Sequence, residues 1–355
     1  MMPSEMLKKS KIFIIIPSYN GRQYWDELFP NLLEEEYQDL DIQILVIDDN
    51  STDGSADYIN RKYPKIKVIR QRENIGFVGI NNIGYQYAKK NQADYIYLLN
   101  QDTVVTSGFL RPLYDFAKEN KFGSLQSKLL LWSDKNKINT IGNAIHFLGF
   151  GYGQGASQPD NQQLKITKIN YASGAGVFIS MRALDDLGYL FDETMFMYLE
   201  DLDLGWSLNM LGYDNYLIPN SVVYHKYEFK RSMKFFYWFE RNRLWVMLKN
   251  YKLGSFLLIF PAWLIMEFGQ LCLALTSHRF LSKLKAYTFL FSPAQMKVLL
   301  EKRKYIQSKR QRSDRQVVGN FTGVILFQPL DMFLLKIANV FFFIYWRVVK
   351  LFIFW

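Results

Sequence analysis

Short apolar runs alternate with amphipathic helical patterns along the first half of the chain. The run from Lys11 to Ile16 is rich in β-branched residues and ends at a Pro-Ser-Tyr-Asn-Gly turn. Further runs of strand length cover 42–47, 66–69 and 95–99, and the pattern over 76–90 is helical. Strands that alternate with helices are typical of βαβ units, so the pattern predicts an α/β fold with a mixed, mostly parallel sheet flanked by helices.

The pattern loosens after a predicted helix at about 107–120. Residues 133–170 are polar and glycine-rich, and a loop of this length is typical of a lid, a binding loop or a disordered segment. No strand pattern is present after residue 231. Between these regions the sequence predicts a strand at 170–181, a helix at 199–211 and short strands at 213–218 and 221–224.

Charge divides the chain into two parts. Residues 231–355 carry 20 Lys and Arg against 5 Asp and Glu, whereas residues 1–230 carry 23 against 28. This asymmetry predicts a catalytic domain over 1–230 and a basic, aromatic-rich helical region over 231–355. Cys272 is the single cysteine, so a disulfide framework is excluded and a reducing, cytoplasmic setting is favoured.

Asn100, Gln101 and Asp102 follow the apolar run 95–99. Ligands of open α/β sheets collect outside the carboxyl ends of the strands, so Asp102 is a candidate for holding a divalent cation against a diphosphate. His225 ends the last predicted strand and is either a structural histidine or a second ligand of that cation. Because the ligands are mostly oxygen and no cysteine is near, Mg²⁺ or Mn²⁺ is favoured over Zn²⁺.

Two further segments fit the binding of a nucleotide. Asp48 and Asp49 follow a strand, where they either form a turn and helix cap or, in the case of Asp49, accept the N3–H of a pyrimidine ring. The glycine-spaced segment 73–84 opens a helix. Its glycines and helix N-terminus favour a phosphate, although close packing of a helix on a strand explains the same glycines.

Glu200 and Asp201 open the helix predicted over 199–211. An acidic first turn complements the helix dipole. Asp201, however, points away from the apolar stripe of that helix, which makes it a candidate general base for a sugar hydroxyl.

Taken together, these segments resemble family 2 glycosyltransferases of the GT-A fold, most closely the rhamnosyltransferase-like branch. The resemblance covers about residues 11–226. The segments that carry it, in the order of that family, are 17–20 (Pro-Ser-Tyr-Asn), 48–51 (Asp-Asp-Asn-Ser), 74–77 (Asn-Ile-Gly-Phe), 100–102 (Asn-Gln-Asp), 173–176 (Ser-Gly-Ala-Gly) and 191–193 (Phe-Asp-Glu) through 200–201 (Glu-Asp).

The resemblance implies roles for individual residues. Asp49 contacts the base, Asp102 binds the metal, Asp201 with Glu200 is catalytic, and His225 matches a metal-binding histidine. Ser173, Gly174, Ala175 and Gly176 line the boundary between donor and acceptor. The remaining residues assigned to the nucleotide or donor sugar are Pro17, Ser18, Tyr19, Asn20, Asp48, Asn74, Gly76, Asn81, Asn100, Gln101 and Arg243.

The resemblance also implies an activity. The expected reaction is an inverting transfer of one sugar from a nucleotide diphosphate sugar, dTDP-rhamnose or a UDP-sugar, to a hydroxyl of a lipid-linked or cell-surface glycan. The family's metal motif often has two carboxylates, whereas Asn100 and Gln101 stand here, so the cation is expected to depend on the phosphates of the donor. The Gln-x-x-Arg-Trp signature of processive synthases is absent, so a polymer product is not expected.

The basic region predicts association with a membrane. Residues 256–275 are mostly apolar but include Pro261 and Glu267, and 297–315 contain eight Lys and Arg. We expect helices that lie in the cytoplasmic membrane interface, peripheral or monotopic, rather than helices that span it. The same apolar faces are open to an alternative use as a contact between copies of the chain. Nucleic acid is not an expected partner, because the folded domain is acidic.

Two other functions stay open at this stage. A sugar nucleotidyltransferase would be expected to carry a glycine-rich and basic loop near the N-terminus, where only Arg22 lies close to the turn at 17–21. A non-catalytic, membrane-bound partner with the same fold would bind no nucleoside diphosphate. The donor sugar, the acceptor and the linkage are not determined by these motifs.

Overall fold

The protein contains a large mixed sheet with helices on both faces and a group of helices at the C-terminal end. The computed structural model describes residues 9–35, 37–161, 163–227, 235–277, 279–327 and 333–355. The strands are β1 Ser10–Ser18, β2 Leu40–Asp48, β3 Lys67–Arg70, β4 Tyr95–Leu99, β5 Thr103–Val105, β6 Ser124–Leu131, β7 Ile138–Thr140, β8 Asn143–Ile145, β9 Gly151–Gly153, β10 Thr167–Ile169, β11 Gly176–Ser180 and β12 Asn215–His225. The helices are α1 Trp25–Leu33, α2 Ser55–Lys62, α3 Gly76–Lys90, α4 Leu110–Glu119, α5 Met181–Leu187, α6 Glu200–Met210, α7 Phe236–Asn250, α8 Leu253–Thr276, α9 Phe280–Leu290, α10 Pro293–Lys309, α11 Asp314–Val318 and α12 Phe333–Val349.

The sheet follows the order β10-β12-β6-β11-β4-β1-β2-β3, with β5 paired to β12 and β7 paired to β6. Strands β3, β2, β1 and β4 are parallel, β11 is antiparallel to both β4 and β6, and β12 is parallel to β6. In β1, residues 12–18 are all buried, which fits a strand covered by helices on both faces. The predicted mixed α/β fold is therefore confirmed; its four N-terminal strands are parallel, and β6 and β12 form a second parallel pair.

The strand directions bring several loops to one edge. The carboxyl ends of β1, β2 and β4 lie together because these strands are parallel. Strand β11 runs the other way, so its first residue, Gly176, pairs with Leu99 at the end of β4. At the end of β12, His225 pairs with Thr103 of β5. The loops after residues 18, 48 and 99 and the loop before 176 therefore meet at this edge.

The region 133–170 differs from the predicted loop, because it contains the short strands β7 to β10. Each of them has three residues, too few to show a period of two in the sequence, and backbone pairing to β6, to β12 or within the β8–β9 hairpin holds them. The two strands predicted at 213–218 and 221–224 are one strand, β12, with a register shift between Ile218 and Val222.

The C-terminal helices share a core with the sheet. Leu244, Val246 and Met247 of α7 lie in the same apolar cluster as Leu202 and Leu204 of α6. The predicted boundary between residues 230 and 231 lies outside the described residues, and the helix after it shares one apolar core with α6.

Arg243 occupies a buried ion cluster between α7, α8 and α9. The side chain is 0% exposed, and its guanidinium donates to Glu240 Oε2 at 2.9 Å and to Glu267. Lys283 of α9 completes the cluster through ion pairs with both glutamates. This position corrects the expectation that Arg243 contacts the donor, because two positive and two negative groups neutralise one another inside the protein.

Candidate active site

The loops after β1 and β2 are joined by a network of short hydrogen bonds. The backbone N–H of Asn20 donates to Ser51 Oγ at 2.8 Å, and Thr52 N donates to Asn20 Oδ1 at 2.9 Å. Asn20 and Asn50 both have positive φ, 50° and 61°, a conformation that asparagine tolerates better than most residues. Tyr19, which is 48% exposed, is thereby presented at the rim of the edge described above.

Asp49 is buried and holds the start of α3. Its two carboxylate oxygens accept the backbone N–H groups of Ile75 at 2.8 Å and Gly76 at 3.1 Å. Burial raises the pKa of Asp49, and the two amide hydrogen bonds oppose that shift. The carboxylate thus joins the β2 loop to the glycine-rich segment, and its predicted contact with a pyrimidine base has to use the remaining lone pairs.

Three polar groups at this edge are buried acceptors whose hydrogen bonds are not met by the described residues. They are Ser18 Oγ, Asp48 Oδ1 and Asn100 Oδ1. Buried polar atoms are normally paired, so such atoms at one edge of a sheet mark a place where a ligand or solvent binds. All three belong to the predicted nucleotide-binding set.

Gln101 connects β4 to the β1 loop. Its side-chain amide accepts from Tyr19 N and donates to Tyr19 O, both at 3.0 Å. The two hydrogen bonds satisfy the backbone of Tyr19 as a neighbouring β-strand would. Gly21 lies against this amide, since a Cβ at position 21 would stand 2.3 Å from Gln101 Oε1. Gln101 therefore orders the loop, and a carboxylate at that position could not donate to Tyr19 O.

Asp102 and His225 form a pair at the ends of β4 and β12. His225 Nε2 lies 3.4 Å from Asp102 Oδ1, and Lys226 N donates to Asp102 O at 2.8 Å. On its other side, His225 Nδ1 is 3.0 Å from Asn139 Oδ1. When Nδ1 carries the proton, it donates to Asn139 Oδ1, and the Nε2 lone pair is then available to a cation beside Asp102.

This pair fits a divalent cation that takes its remaining ligands from a substrate. Within the described residues, no group of three or more His, Cys, Asp or Glu side chains is arranged to hold a metal. One carboxylate and one imidazole provide two ligands, whereas Mg²⁺ requires about six, usually including substrate phosphates and water. A cation held by this pair would therefore occupy an open site and not a closed structural one.

Asp201 stands at the start of α6 and keeps part of its surface exposed. Asp201 Oδ2 accepts from Gly174 N at 3.2 Å, and Oδ1 accepts from Leu202 N at 2.8 Å. Burial raises the pKa of Asp201 above that of an ordinary aspartate. The neighbouring Glu200 is more deeply buried, and both burial and the charge of Asp201 raise its pKa.

The segment 173–176 contacts both Asp201 and the loop that carries Asp102. Its Gly174 binds Asp201, and Ala175 O accepts from Asn100 N at 3.2 Å, two residues before Asp102. Ser173 N in turn donates to Gln126 Oε1 on β6 at 2.9 Å. Segment 173–176 is thus hydrogen-bonded both to Asp201 and to the loop that carries Asp102.

The remaining predicted residues lie as follows. Asn74 is exposed in the loop before α3, whereas Asn81 is buried in α3 with its Nδ2 bound to Phe77 O at 2.8 Å. Two residues of the site were absent from the sequence prediction: Asn139, which orients His225, and Gln126, which holds Ser173. Neither lies in a recognisable motif, so the sequence carried no signal for them.

The comparisons with known proteins identify the domain that carries these loops. A sequence model of glycosyl transferase family 2 matches residues 13–188. Residues 13–188 are a family 2 glycosyltransferase domain. The match contains the loops after β1 and β2, Asp102 and the segment 173–176. It ends before Asp201 and His225.

Two curated relatives are glycosyltransferases. The chain is 33% identical over 123 residues to the poly(ribitol-phosphate) beta-glucosyltransferase of Bacillus spizizenii, a match that covers 34% of this chain and 19% of that protein. It is 23% identical over 209 residues to the N-acetylglucosaminyl-diphospho-decaprenol L-rhamnosyltransferase of Mycobacterium tuberculosis, with coverage of 52% and 66%. The chain spans 19 to 42% of the length of the first three curated relatives that it matches.

Solved structures show the same fold. The Staphylococcus aureus TarS fragment 1–349 in complex with UDP-GlcNAc matches 96% of this chain and 90% of its own, with a TM-score of 0.51 and 16% identity. The mannosyltransferase PcManGT of Pyrobaculum calidifontis, in complex with GDP-Man and Mn²⁺, matches 85% and 86%, with a TM-score of 0.50 and 13% identity. These likenesses confirm the GT-A fold of the chain.

Proposed function

We propose that this protein transfers a sugar, with inversion, from a nucleotide diphosphate sugar to a hydroxyl of a lipid-linked or cell-surface glycan. The observation that carries the proposal is that segment 173–176 is hydrogen-bonded both to Asp201 and to the backbone of Asn100, two residues before the Asp102 that pairs with His225. One acid can accept a proton there, while the other group can hold a cation on a diphosphate. The donor we favour is dTDP-rhamnose or a UDP-sugar.

The mechanism needs a single displacement at the anomeric carbon. Asp201 accepts the proton of the acceptor hydroxyl, and its raised pKa makes it a stronger base than an ordinary aspartate. Asp102 and His225 would hold a divalent cation, and such a cation would offset the charge that develops on the departing diphosphate. A carboxylate nucleophile is not needed, because only a retaining double displacement forms a covalent sugar–enzyme intermediate.

Relatives support the substrate class. The names of the two relatives describe a ribitol-phosphate polymer and a diphospho-decaprenol carrier as acceptors, and the TarS structure contains a UDP-sugar. A pyrimidine nucleotide and a carrier at a membrane are therefore the proposed partners.

The test is a panel of radiolabelled donors, UDP-glucose, UDP-GlcNAc, dTDP-rhamnose and GDP-mannose, each with Mg²⁺ or Mn²⁺. We expect release of nucleoside diphosphate from a pyrimidine donor, faster when a membrane extract supplies acceptors. Release from none of these donors under any of these conditions would contradict the proposal.

The rate is expected to depend on pH through Asp201. The carboxylate acts as a base only when it has lost its proton, so the rate rises as pH rises through the pKa of Asp201 and is constant above it. Because burial raises that pKa, the acid limb should lie at higher pH than the ordinary range of an aspartate near 4. A profile of kcat against pH measures it, and a rate that stays constant down to pH 4 would contradict the assignment.

The C-terminal helices provide a surface for the membrane. Helix α8 is, within the described residues, the one helix long and apolar enough to cross a bilayer. However, Glu267 and Ile259 on one face are buried against the protein, while Leu257, Leu264 and Phe268 on the other face are 61%, 50% and 71% exposed. One face of α8 is fixed to the protein, because its Glu267 pairs with Arg243 of α7 and α7 packs on α6. We therefore propose that α8 lies flat in the cytoplasmic interface, with its exposed face toward the lipid.

Charge favours anionic lipid over a second copy of the chain. Residues 253–300 contain a single acid, the buried Glu267, and 333–355 contain none, although both segments carry several Lys and Arg. Two copies of such a face repel each other, whereas each basic group near an anionic leaflet contributes about 1 kcal/mol. Exposed apolar residues of α12 and the C-terminus extend the face; they are Phe333, Ile337, Val340, Phe341, Phe343, Ile344, Val348, Leu351, Phe352 and Phe354.

The substitution Leu264→Glu is expected to weaken vesicle binding about 10–100-fold, since burial of one leucine contributes about 1.5–3 kcal/mol. Flotation with vesicles of phosphatidylcholine and phosphatidylglycerol measures the effect. Ile166→Glu is the matched control. Ile166 is also 50% exposed, but it lies directly before β10, at the end of the strand order and not on a C-terminal helix. Equal binding of the two variants, or dimerisation without lipid that Leu264→Glu abolishes, would contradict this surface.

A further inference from the structure

Two bulky residues in the left-handed conformation stand directly before Glu200 and the proposed base, Asp201. Tyr198 has φ 68° and Leu199 has φ 64°, and α6 begins at the next residue. This region of φ and ψ is sparsely populated by such residues, and strained turns persist only where their surroundings hold them. The direction in which Asp201 leaves this turn depends on the two residues.

Asn242 of α7 binds the backbone of that turn. Its side-chain Nδ2 donates to Met197 O at 2.9 Å and to Tyr198 O at 2.7 Å, and the residue is 1% exposed. Its Oδ1 accepts from Arg241 Nε at 2.9 Å, and the same Arg241 donates to Thr194 O at 2.7 Å. The amide is therefore oriented by one neighbour while it holds two consecutive carbonyls.

The same face of α7 binds both sides of the turn. Trp245 and Lys249 stand three and seven residues after Asn242, which places them on one face of the helix. Trp245 Nε1 donates to Asp192 at 3.0 Å, and Lys249 forms ion pairs with Asp192 and with Asp203 of α6. The segment 192–203 is thus held before, at and after the left-handed turn.

The turn also contacts the donor side of the site. Phe196 O accepts from Val78 N at 3.2 Å, and a Cβ on Gly76 would stand 2.5 Å from the Phe196 ring. Gly76 is the residue whose N–H binds Asp49. One segment therefore connects the nucleotide loop with the proposed base.

We propose that Asn242 is a positioning residue for Asp201, which keeps the turn at 198–199 left-handed and so aims the carboxylate at the acceptor hydroxyl. The inference rests on the proposed role of Asp201. It extends the catalytic unit to α7, outside the family match that ends at residue 188.

The test compares Asn242→Ala and the isosteric Asn242→Asp with the unmodified full chain. We expect kcat for nucleoside diphosphate release to fall about 10²-fold, the size of effect that a misplacement of about 1 Å causes, with the Kd for UDP and Mn²⁺ unchanged. Asn339→Ala is the matched control. Asn339 also bridges backbone groups, both of Ile325 at 2.8 and 2.9 Å, but lies on α12.

A rescue separates positioning from general stability. Glycine adopts positive φ readily, so Tyr198→Gly in the Asn242→Ala background is expected to restore at least part of the lost kcat, after correction for the effect of Tyr198→Gly alone. Retained kcat in both Asn242 variants, an equal loss in Asn339→Ala, or a parallel loss of UDP binding would each overturn the inference. Full activity of Asp201→Asn would instead show that the proposed base is wrong.

Discussion

Asp201→Asn is expected to lower kcat by about 10²–10⁴-fold, the usual contribution of a placed general base. The amide has the shape of the carboxylate and can still accept from Gly174 N or Leu202 N, but it cannot take a proton from the acceptor. The Kd for the nucleoside diphosphate should stay unchanged, because Asp201 is not among the residues proposed to hold the cation or the nucleotide. Donor turnover and calorimetry measure the two quantities.

The control for this substitution is Asp185→Asn. Asp185 is exposed and pairs with Lys89 on the surface, away from the site. We expect no change of kcat in this variant. If Asp201→Asn retains the rate of the unmodified protein, the base is another group and the proposed mechanism is wrong.

Asp102→Asn is expected to weaken cation-dependent binding of the donor diphosphate more than about 100-fold. It removes the charged protein ligand, whereas Asn139→Ala removes only the partner that orients His225 and should cost about 10–100-fold. Calorimetric titrations of Mn²⁺ in the presence of UDP measure both. Asn136→Ala, an exposed neighbour three residues before Asn139, is the control.

The order of these effects tests the site. If Asn139→Ala weakens Mn²⁺ binding as much as Asp102→Asn does, the substitution has disrupted the structure around β7 and has not only changed the orientation of His225. Unchanged binding in Asp102→Asn would show that the cation, if it binds, is held elsewhere.

The sequence predicted the parts of the fold that are locally determined. The run 95–99 is strand β4 as observed, because a short apolar run between turn residues has few other structures available. The candidate acids were found because each stands at the end of a strand or the start of a helix. Such positions are visible in a single sequence.

The parts that were missed depend on contacts between distant residues. The resemblance assigned Arg243 to the donor, yet Arg243 lies in a buried ion cluster whose other members, Glu240, Glu267 and Lys283, come from three helices. Asn139 and Asn242 form hydrogen bonds with residues more than 40 positions away. No periodicity or spacing rule contains that information.

The most direct test of the central claim is a calorimetric titration of UDP, dTDP and GDP into the unmodified protein, with Mn²⁺ and again with EDTA. The account predicts binding of a pyrimidine nucleoside diphosphate that requires Mn²⁺ and disappears in Asp102→Asn. Binding of equal strength with EDTA, or no binding of any of the three nucleotides with Mn²⁺, would contradict it.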